Sequence, residues 1–219
     1  MDRLLFVSGS EVGQRIAQHQ AVADAAREAG VSLVAYTSSP KADTSDMVLA
    51  EEHRATEGAL IASGVPYVFL RNGWYVENYT RQLPVILEHG LIGAAGDGRI
   101  SAAARGDLAE AAAVVVASDG HQNRVYELGG PSFTLAGLAA EIGRQSGRDV
   151  GYTDLSEDAY AKALVDAGVP AEAAAVYADS DRAAAKGALY IEGDDLERLL
   201  GRPATPWPEV IRAALAELS

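Results

Sequence analysis

Three apolar runs, each leading into small or polar residues and separated by helical stretches, constrain this chain most. Leu4 to Val7 leads into Ser8-Gly9-Ser10, Leu33 to Tyr36 into Thr37-Ser38-Ser39, and Tyr67 to Leu70 into Arg71-Asn72-Gly73. The runs are nearly continuous rather than alternating, as in strands covered by helices on both faces. Between them, Ala17 to Ala29 stops at Gly30 and Ala50 to Ser63 stops at Gly64, two helices with glycine ends. This alternation predicts right-handed crossovers and a parallel sheet, an α/β fold. Ligands bind such sheets at the carboxyl edge, where all three strands end in Ser, Gly or Asn. No glycine-rich phosphate loop precedes the first strand in this sequence. The chain reads as the second half of a nucleotide-binding fold.

The rest of the chain reads as follows. Asn78 to Glu88 is a helix in which Pro84 forces a kink or a restart, closed by Gly90. Gly93-Ala94-Ala95-Gly96-Asp97-Gly98 has glycine spacing but leads into a strand-like stretch, Arg99 to Ala102, not into a helix. It is therefore read as a turn approaching the ligand, not as a phosphate loop. The next helix is expected to begin near Asp107 as its N-cap. Arg124 to Leu128 is a further strand. Helices follow over Leu135 to Gln145, Glu157 to Ala167, Ala171 to Asp181, Asp194 to Leu200 and Pro206 to Leu218. A boundary near Gly130 divides residues 1–130, the sheet domain, from 131–219, a smaller and mostly helical substrate lobe.

Composition removes several classes of function. There are no cysteines among the 219 residues, so thiol nucleophiles and cysteine metal sites are out. The net charge of -13 repels phosphate backbones and argues against nucleic acid. No apolar run approaches the ~20 residues of a bilayer span, and the N-terminus has no secretion pattern, so a cytoplasmic location is the default expectation. His19, His89 and His121 have no metal-ligand spacing, and no metal site is expected. No nucleophile elbow or paired-carboxylate spacing favours hydrolysis. Redox chemistry carried by a cofactor asks less of the side chains.

The densest cluster is Arg71-Asn72-Gly73-Trp74-Tyr75-Val76-Glu77, a cation, an amide and two aromatics directly after a strand. Asn72 can both donate to and accept from a carboxamide. Trp74 and Tyr75 offer a wall for a planar ligand. A capped strand end over core aromatics is the plainer alternative. His53 sits on a helical face with Leu49, Thr56 and Leu60, either facing the sheet or exposed and paired with Glu57.

Several of these segments together resemble the NmrA-like branch of the atypical short-chain dehydrogenases, and within it the NADPH-dependent quinone oxidoreductase 2 subgroup. They are Ser10 to Arg15, Ala35 to Ser38, Glu52 to Glu57, Leu70 to Tyr79 and Gly93 to Gly98. Val125 to Leu128, Ala178 to Asp181 and Leu200 to Pro203 agree. The resemblance implies a partial Rossmann-type sheet, bound NADP(H), and hydride transfer to a quinone or similar planar acceptor. It implies that Ser8, Gly9 and Ser10, with Tyr36 and Thr37, line the cofactor's ribose side. It also implies that Asn72, Gly73, Trp74, Tyr75, Val76 and Glu77 hold the nicotinamide end, and that Arg99 reaches cofactor or substrate. Asn72, Tyr75 and His53 are the candidate catalytic residues. His53 stands where classical relatives carry a helix lysine, and the tyrosine–lysine pair is missing. Family members begin with a Gly-rich turn that seats the pyrophosphate, and this sequence lacks it, so weak dinucleotide binding is expected. The sheet edge this leaves open could be covered in a homodimer. A non-catalytic dinucleotide-sensing regulator is the alternative function.

Overall fold

The computed structural model describes residues 2–11 and 13–218. Val12, within the first resembling segment, lies outside them. The chain folds as two compact units, each drawn from three stretches. One comprises residues 1–72, 106–128 and 193–203; the other comprises 73–105, 129–192 and 204–219. The two units alternate along the chain, and residues 73–105 fall in the second.

The first unit contains β1 (Arg3–Phe6), α1 (Arg15–Glu28), β2 (Leu33–Ser38), α2 (Val48–Ser63) and β3 (Tyr67–Asn72). The four strands lie parallel in the order β1-β2-β3-β5, where β5 is Arg124–Leu128. Registers such as Phe6 with Tyr36 and Tyr36 with Phe69 align the strand ends. Phe6, Val34, Tyr36, Leu60 and Phe69 share one apolar cluster with Ala23 and Ala26 of α1. This burial is what holds α1 and α2 on the sheet. β2 and β3 are buried along most of their length, as their apolar runs predict. β1 is not: Leu5 is 39% and the following Val7 65% exposed. Among the described residues no strand pairs with its outer edge. The apolar run reports hydrophobicity, but only its place in the sheet decides burial.

The second unit holds α3 (Glu77–Thr80), α4 (Leu83–His89), β4 (Leu91–Gly93), α6 (Leu135–Ser146), β6 (Tyr152–Asp154), α7 (Glu157–Asp166), α8 (Ala171–Ala185) and α10 (Trp207–Glu217). Pro84 is a restart: it sits in the first turn of α4, where its missing N–H costs nothing. β4 and β6 form a two-stranded parallel sheet that the sequence reading missed. Both are three residues long, too short for a period to show.

Arg99 to Ala102 forms no strand. Ile100 makes a single bridge to Phe133 instead. Helix α5 (Arg105–Ala117) starts two residues before Asp107. Glu77 Oε1 accepts the Arg105 N–H at 2.9 Å, while Asp107 is buried and bonds Arg202 Nη2 at 2.9 Å. A carboxylate from another segment thus takes the role expected of Asp107. α9 (Asp195–Leu200) completes the first unit.

Two glycines make opposite predictions. A Cβ on Gly98 would stand 2.5 Å from the Ala184 carbonyl oxygen, and neither backbone can yield. Gly98→Ala should therefore lower unfolding free energy by about 3 kcal/mol. Gly58 lies inside α2 with nothing within 4 Å of a Cβ. Gly58→Ala should raise it by about 0.5–1 kcal/mol through helix propensity. Urea denaturation of both variants reads the two signs.

Candidate functional site

The carboxyl ends of β1, β2 and β3 stand side by side on one edge of the sheet. Ser8, two residues past β1, donates its N–H to Thr37 Oγ1 at 2.9 Å. The Gly9 N–H donates to His19 Nε2 at 3.1 Å, and Arg15 Nε donates to the Gly9 carbonyl at 2.7 Å. The Gly13 N–H goes to Glu52 Oε1 at 2.7 Å. These bonds tie the turn after β1 to α1 and α2. They also engage the Ser8, Gly9 and Gly13 N–H groups, donors that a glycine-rich phosphate loop would keep for its ligand. Ser10 is exposed.

The bonds fix the His19 tautomer. Nε2 accepts from Gly9, so the proton sits on Nδ1 and is given to Thr56 Oγ1 at 2.8 Å. Thr56 in turn donates to the Glu52 carbonyl at 2.9 Å. Burial and the Arg15 charge push the His19 pKa down, with Glu52 opposing, which keeps the ring neutral as its accepting role demands.

His53 faces the sheet. It is buried, and its Nδ1 lies 2.8 Å from the Tyr36 hydroxyl. The expected partner Glu57 is engaged elsewhere. Burial, then Arg15 and His19, push the His53 pKa down to about 3, so the imidazole is neutral near pH 7. Tyr36 is fully buried in the apolar cluster, and burial above all raises its pKa. A phenol that keeps its proton can donate to His53. These two side chains form a core pair beneath the strand ends.

Arg71 is fully committed. Its Nε and Nη2 reach Glu57 at 3.0 and 2.8 Å, and its Nη1 reaches Asp43 at 2.9 Å and Glu127 at 3.1 Å. Ser38 Oγ donates to the same Glu57 at 2.7 Å. Burial works against the Arg71 charge, but Glu57 and Glu127 outweigh it and hold the guanidinium ionised. This cation serves the fold. It is not available to a ligand.

Asn72 behaves differently. Its Oδ1 is buried and, among the described residues, has no hydrogen-bond partner; the same holds for Ser39 Oγ. Ser38 pairs with Arg71 in register, so Ser39 and Asn72 occupy the next step along neighbouring strands. A buried acceptor left open costs about 1–3 kcal/mol unless a ligand or water satisfies it. Two such atoms at adjacent strand ends suit an amide-bearing ring and its ribose. The residues thus fit the nicotinamide end of a dinucleotide. In the turn after β1, the Ser8, Gly9 and Gly13 N–H groups are already bonded within the protein. Ser39 was passed over in the sequence reading; its place in the Thr37-Ser38-Ser39 run was the available signal.

The other expected site residues lie in the second unit. The Ala103 N–H donates to the Trp74 carbonyl at 2.8 Å and the Val76 N–H to the Ala103 carbonyl at 3.2 Å, so this segment is pinned. Val76 is fully buried and Gly73 is buried. Tyr75 has the Arg105 guanidinium 6.0 Å from its ring centre. Glu77 uses one oxygen on Arg105 N, and the other is buried without a hydrogen-bond partner among the described residues. Arg99 is exposed. Its Nε and Nη2 lie 3.1 and 2.8 Å from Ser132 Oγ, and its guanidinium stands 4.9 Å from the Tyr190 ring centre.

No family model matches the sequence. It is 50% identical over 213 residues to quinone oxidoreductase 2 of Escherichia coli, spanning 96% of this chain and 74% of the relative. It is 30% identical to an NmrA-like family domain-containing oxidoreductase of Aspergillus flavus, spanning 99% of this chain and 74% of that one. The chain belongs to the NmrA-like oxidoreductase family. A crystal structure of the E. coli NADPH-dependent quinone oxidoreductase, complexed with NADPH, superimposes with a TM-score of 0.96 at 48% identity, covering 98% of this chain and 77% of that one. The Rossmann-type α/β fold of this family is therefore the fold seen here. No group of three or more metal-binding side chains occurs among the described residues, and none of their helices is long and apolar enough to cross a membrane.

Proposed function

We propose that this chain is an NADPH-dependent reductase that delivers a hydride to a quinone or similarly flat acceptor. The observation carrying this reading is the unsatisfied Asn72 Oδ1 at the carboxyl end of β3, flanked by the unsatisfied Ser39 Oγ. Its family membership supports the same reading. Asn72 would accept from the nicotinamide carboxamide, with Ser39 and the Ser8–Ser10 turn beside the ribose. When bound, NADPH supplies a hydride, two electrons and one proton; the acceptor takes a second proton from solvent and leaves as the hydroquinone. The protein's own part is orientation and exclusion of water. His53 and Tyr36 support the crevice from below instead of moving protons. Gly73 to Glu77 and Arg99, in the second unit, remain candidate ligand contacts.

The two relatives described above, at 50% and 30% identity, are both named oxidoreductases, which favours catalysis over a purely regulatory role. We further infer a cytoplasmic protein that self-associates. A monomer by size-exclusion mass measurement at every concentration would remove the last point. The test of function is NADPH oxidation, followed by absorbance, with and without a soluble quinone. Quinone-dependent oxidation is expected; binding with no turnover would instead support the regulator.

A further inference from the structure

Gly9, in the turn after β1, is held by both of its backbone polar groups. Its N–H donates to His19 Nε2 at 3.1 Å, and its carbonyl accepts from Arg15 Nε at 2.7 Å. Both side chains come from α1 and both are buried. Arg15 Nη1 also lies 3.4 Å from Glu52 Oε2 on α2, and the other Glu52 oxygen takes the Gly13 N–H at 2.7 Å. A Cβ on Gly9 would meet His19 Nε2 only at 3.5 Å, so ring and turn are joined by a hydrogen bond and not by crowding.

His19 can make this bond in one protonation state only. Its Nδ1 hydrogen is committed to Thr56 Oγ1 at 2.8 Å, because Thr56 spends its own hydrogen on the Glu52 carbonyl at 2.9 Å. Nε2 is then the ring's single acceptor, and the Gly9 N–H occupies it. A second proton would go to Nε2 and set two donors face to face. The ring cannot turn away. It is 2% exposed, and Phe6 and Tyr36 stand against it at ring-centre distances of 4.8 and 5.7 Å. The turn is the part that yields.

We propose that His19 is a proton-operated latch, a positioning residue whose neutral ring holds Gly9 at the β1 side of the crevice and whose protonation releases the turn. Its functional part rests on the reductase reading and deepens it. The Ser8 N–H bonds Thr37 Oγ1, two residues before the open Ser39 Oγ, so the latched turn stands at the strand ends where the ribose is placed. A released turn leaves the ribose without its wall on the β1 side.

The groups around the ring decide when the latch opens. Burial disfavours the second proton most, Arg15 on α1 adds to this, and Glu52 on α2 opposes them. His53 on α2 and Tyr36 on β2 also face the ring. His53 titrates only near 3, and Tyr36 keeps its phenol proton, so neither brings a charge at neutral pH. The folded pKa of His19 therefore lies below its ordinary value: the latch is closed at neutral pH and opens in acid.

The test follows the Gly9 amide and the His19 ring by NMR in the whole chain without cofactor. Protection of the Gly9 amide against exchange, corrected for the intrinsic pH dependence, should drop about tenfold across the His19 titration. His19→Phe keeps the aromatic packing and removes the acceptor; it should show that drop already at neutral pH. His19→Gln, whose side-chain oxygen accepts but does not titrate, should keep the protection and abolish the pH response. Circular dichroism verifies the fold of both. NADPH should bind about fivefold more weakly to His19→Phe than to His19→Gln. Gly9 protection unchanged across the titration, a His19 ring that stays neutral until the fold is lost, equal protection in His19→Phe and wild type, or a drop persisting in His19→Gln would each overturn the latch. Equal, measurable NADPH affinities in the two variants would overturn its positioning role. No NADPH binding by the wild type, with the Gly9 results as expected, would strike the reductase reading and leave the latch standing.

Discussion

Arg71→Met is expected to lower unfolding free energy by about 3–5 kcal/mol. The side chain removed carries one positive charge among three carboxylates. Glu57 is the critical neighbour, because its side chain is only 7% exposed and both its oxygens are bonded to Arg71. Without the guanidinium, that carboxylate keeps one donor, Ser38 Oγ, and no cation among the described residues. It must ionise in the interior or take up a proton at a cost. Asp43 and Glu127 matter less, since they are more exposed. The arrangement predicts strong coupling: Arg71→Met combined with Glu57→Gln should recover more than half of the loss, because the stranded charge is gone. Urea denaturation of the single and double variants decides it. Additive losses would show that Arg71 acts by packing alone.

Acid should weaken the fold through its histidines. A group whose pKa is lower folded than unfolded contributes stability above its unfolded pKa, and loses it as pH falls toward the folded value. His53 titrates near 6.5 when unfolded and near 3 when folded, held down first by burial. Its contribution is therefore complete above pH 7 and declines between about pH 6.5 and 3, by about 1.4 kcal/mol per pH unit. His19 shifts in the same direction. Asp181 opposes them. Its folded pKa lies above the unfolded one, so protonation between about pH 6 and 4 favours the fold. The net slope of the wild type is thus a difference, and the clean measurement is a comparison. His53→Gln retains a hydrogen-bond partner for Tyr36 and removes the titration. Between pH 6 and 4 its stability should fall less steeply than that of the wild type, by about 1.4 kcal/mol per pH unit. Parallel curves would place His53 outside the acid response.

The two predictions show where sequence reading reaches and where it stops. Strand and helix order was legible because β2, β3, α1 and α2 carry long apolar periods closed by glycine. The shared strand edge was legible for the same reason: Ser8, Thr37 and Asn72 follow from strand order. Partnership was not. His53 and Glu57 lie four residues apart on one helix, which suggested a pair, yet Glu57 turns to Arg71 on β3 and His53 to Tyr36 on β2. Helical spacing shows who could meet within the helix and says nothing of what the sheet offers. The bonding of the 93–98 glycine turn was hidden because its partners, Asp154 and Asp181, lie more than 50 residues downstream.

Calorimetric titration of NADPH into the wild type and Asn72→Ala bears most directly on the central claim, that the open acceptor at the end of β3 receives the nicotinamide carboxamide. Weak wild-type binding is expected, because the Ser8, Gly9 and Gly13 donors of the turn after β1 are engaged within the protein, with affinity lowered about tenfold further by Asn72→Ala. Equal affinities for the two proteins, or no heat from either, would contradict it.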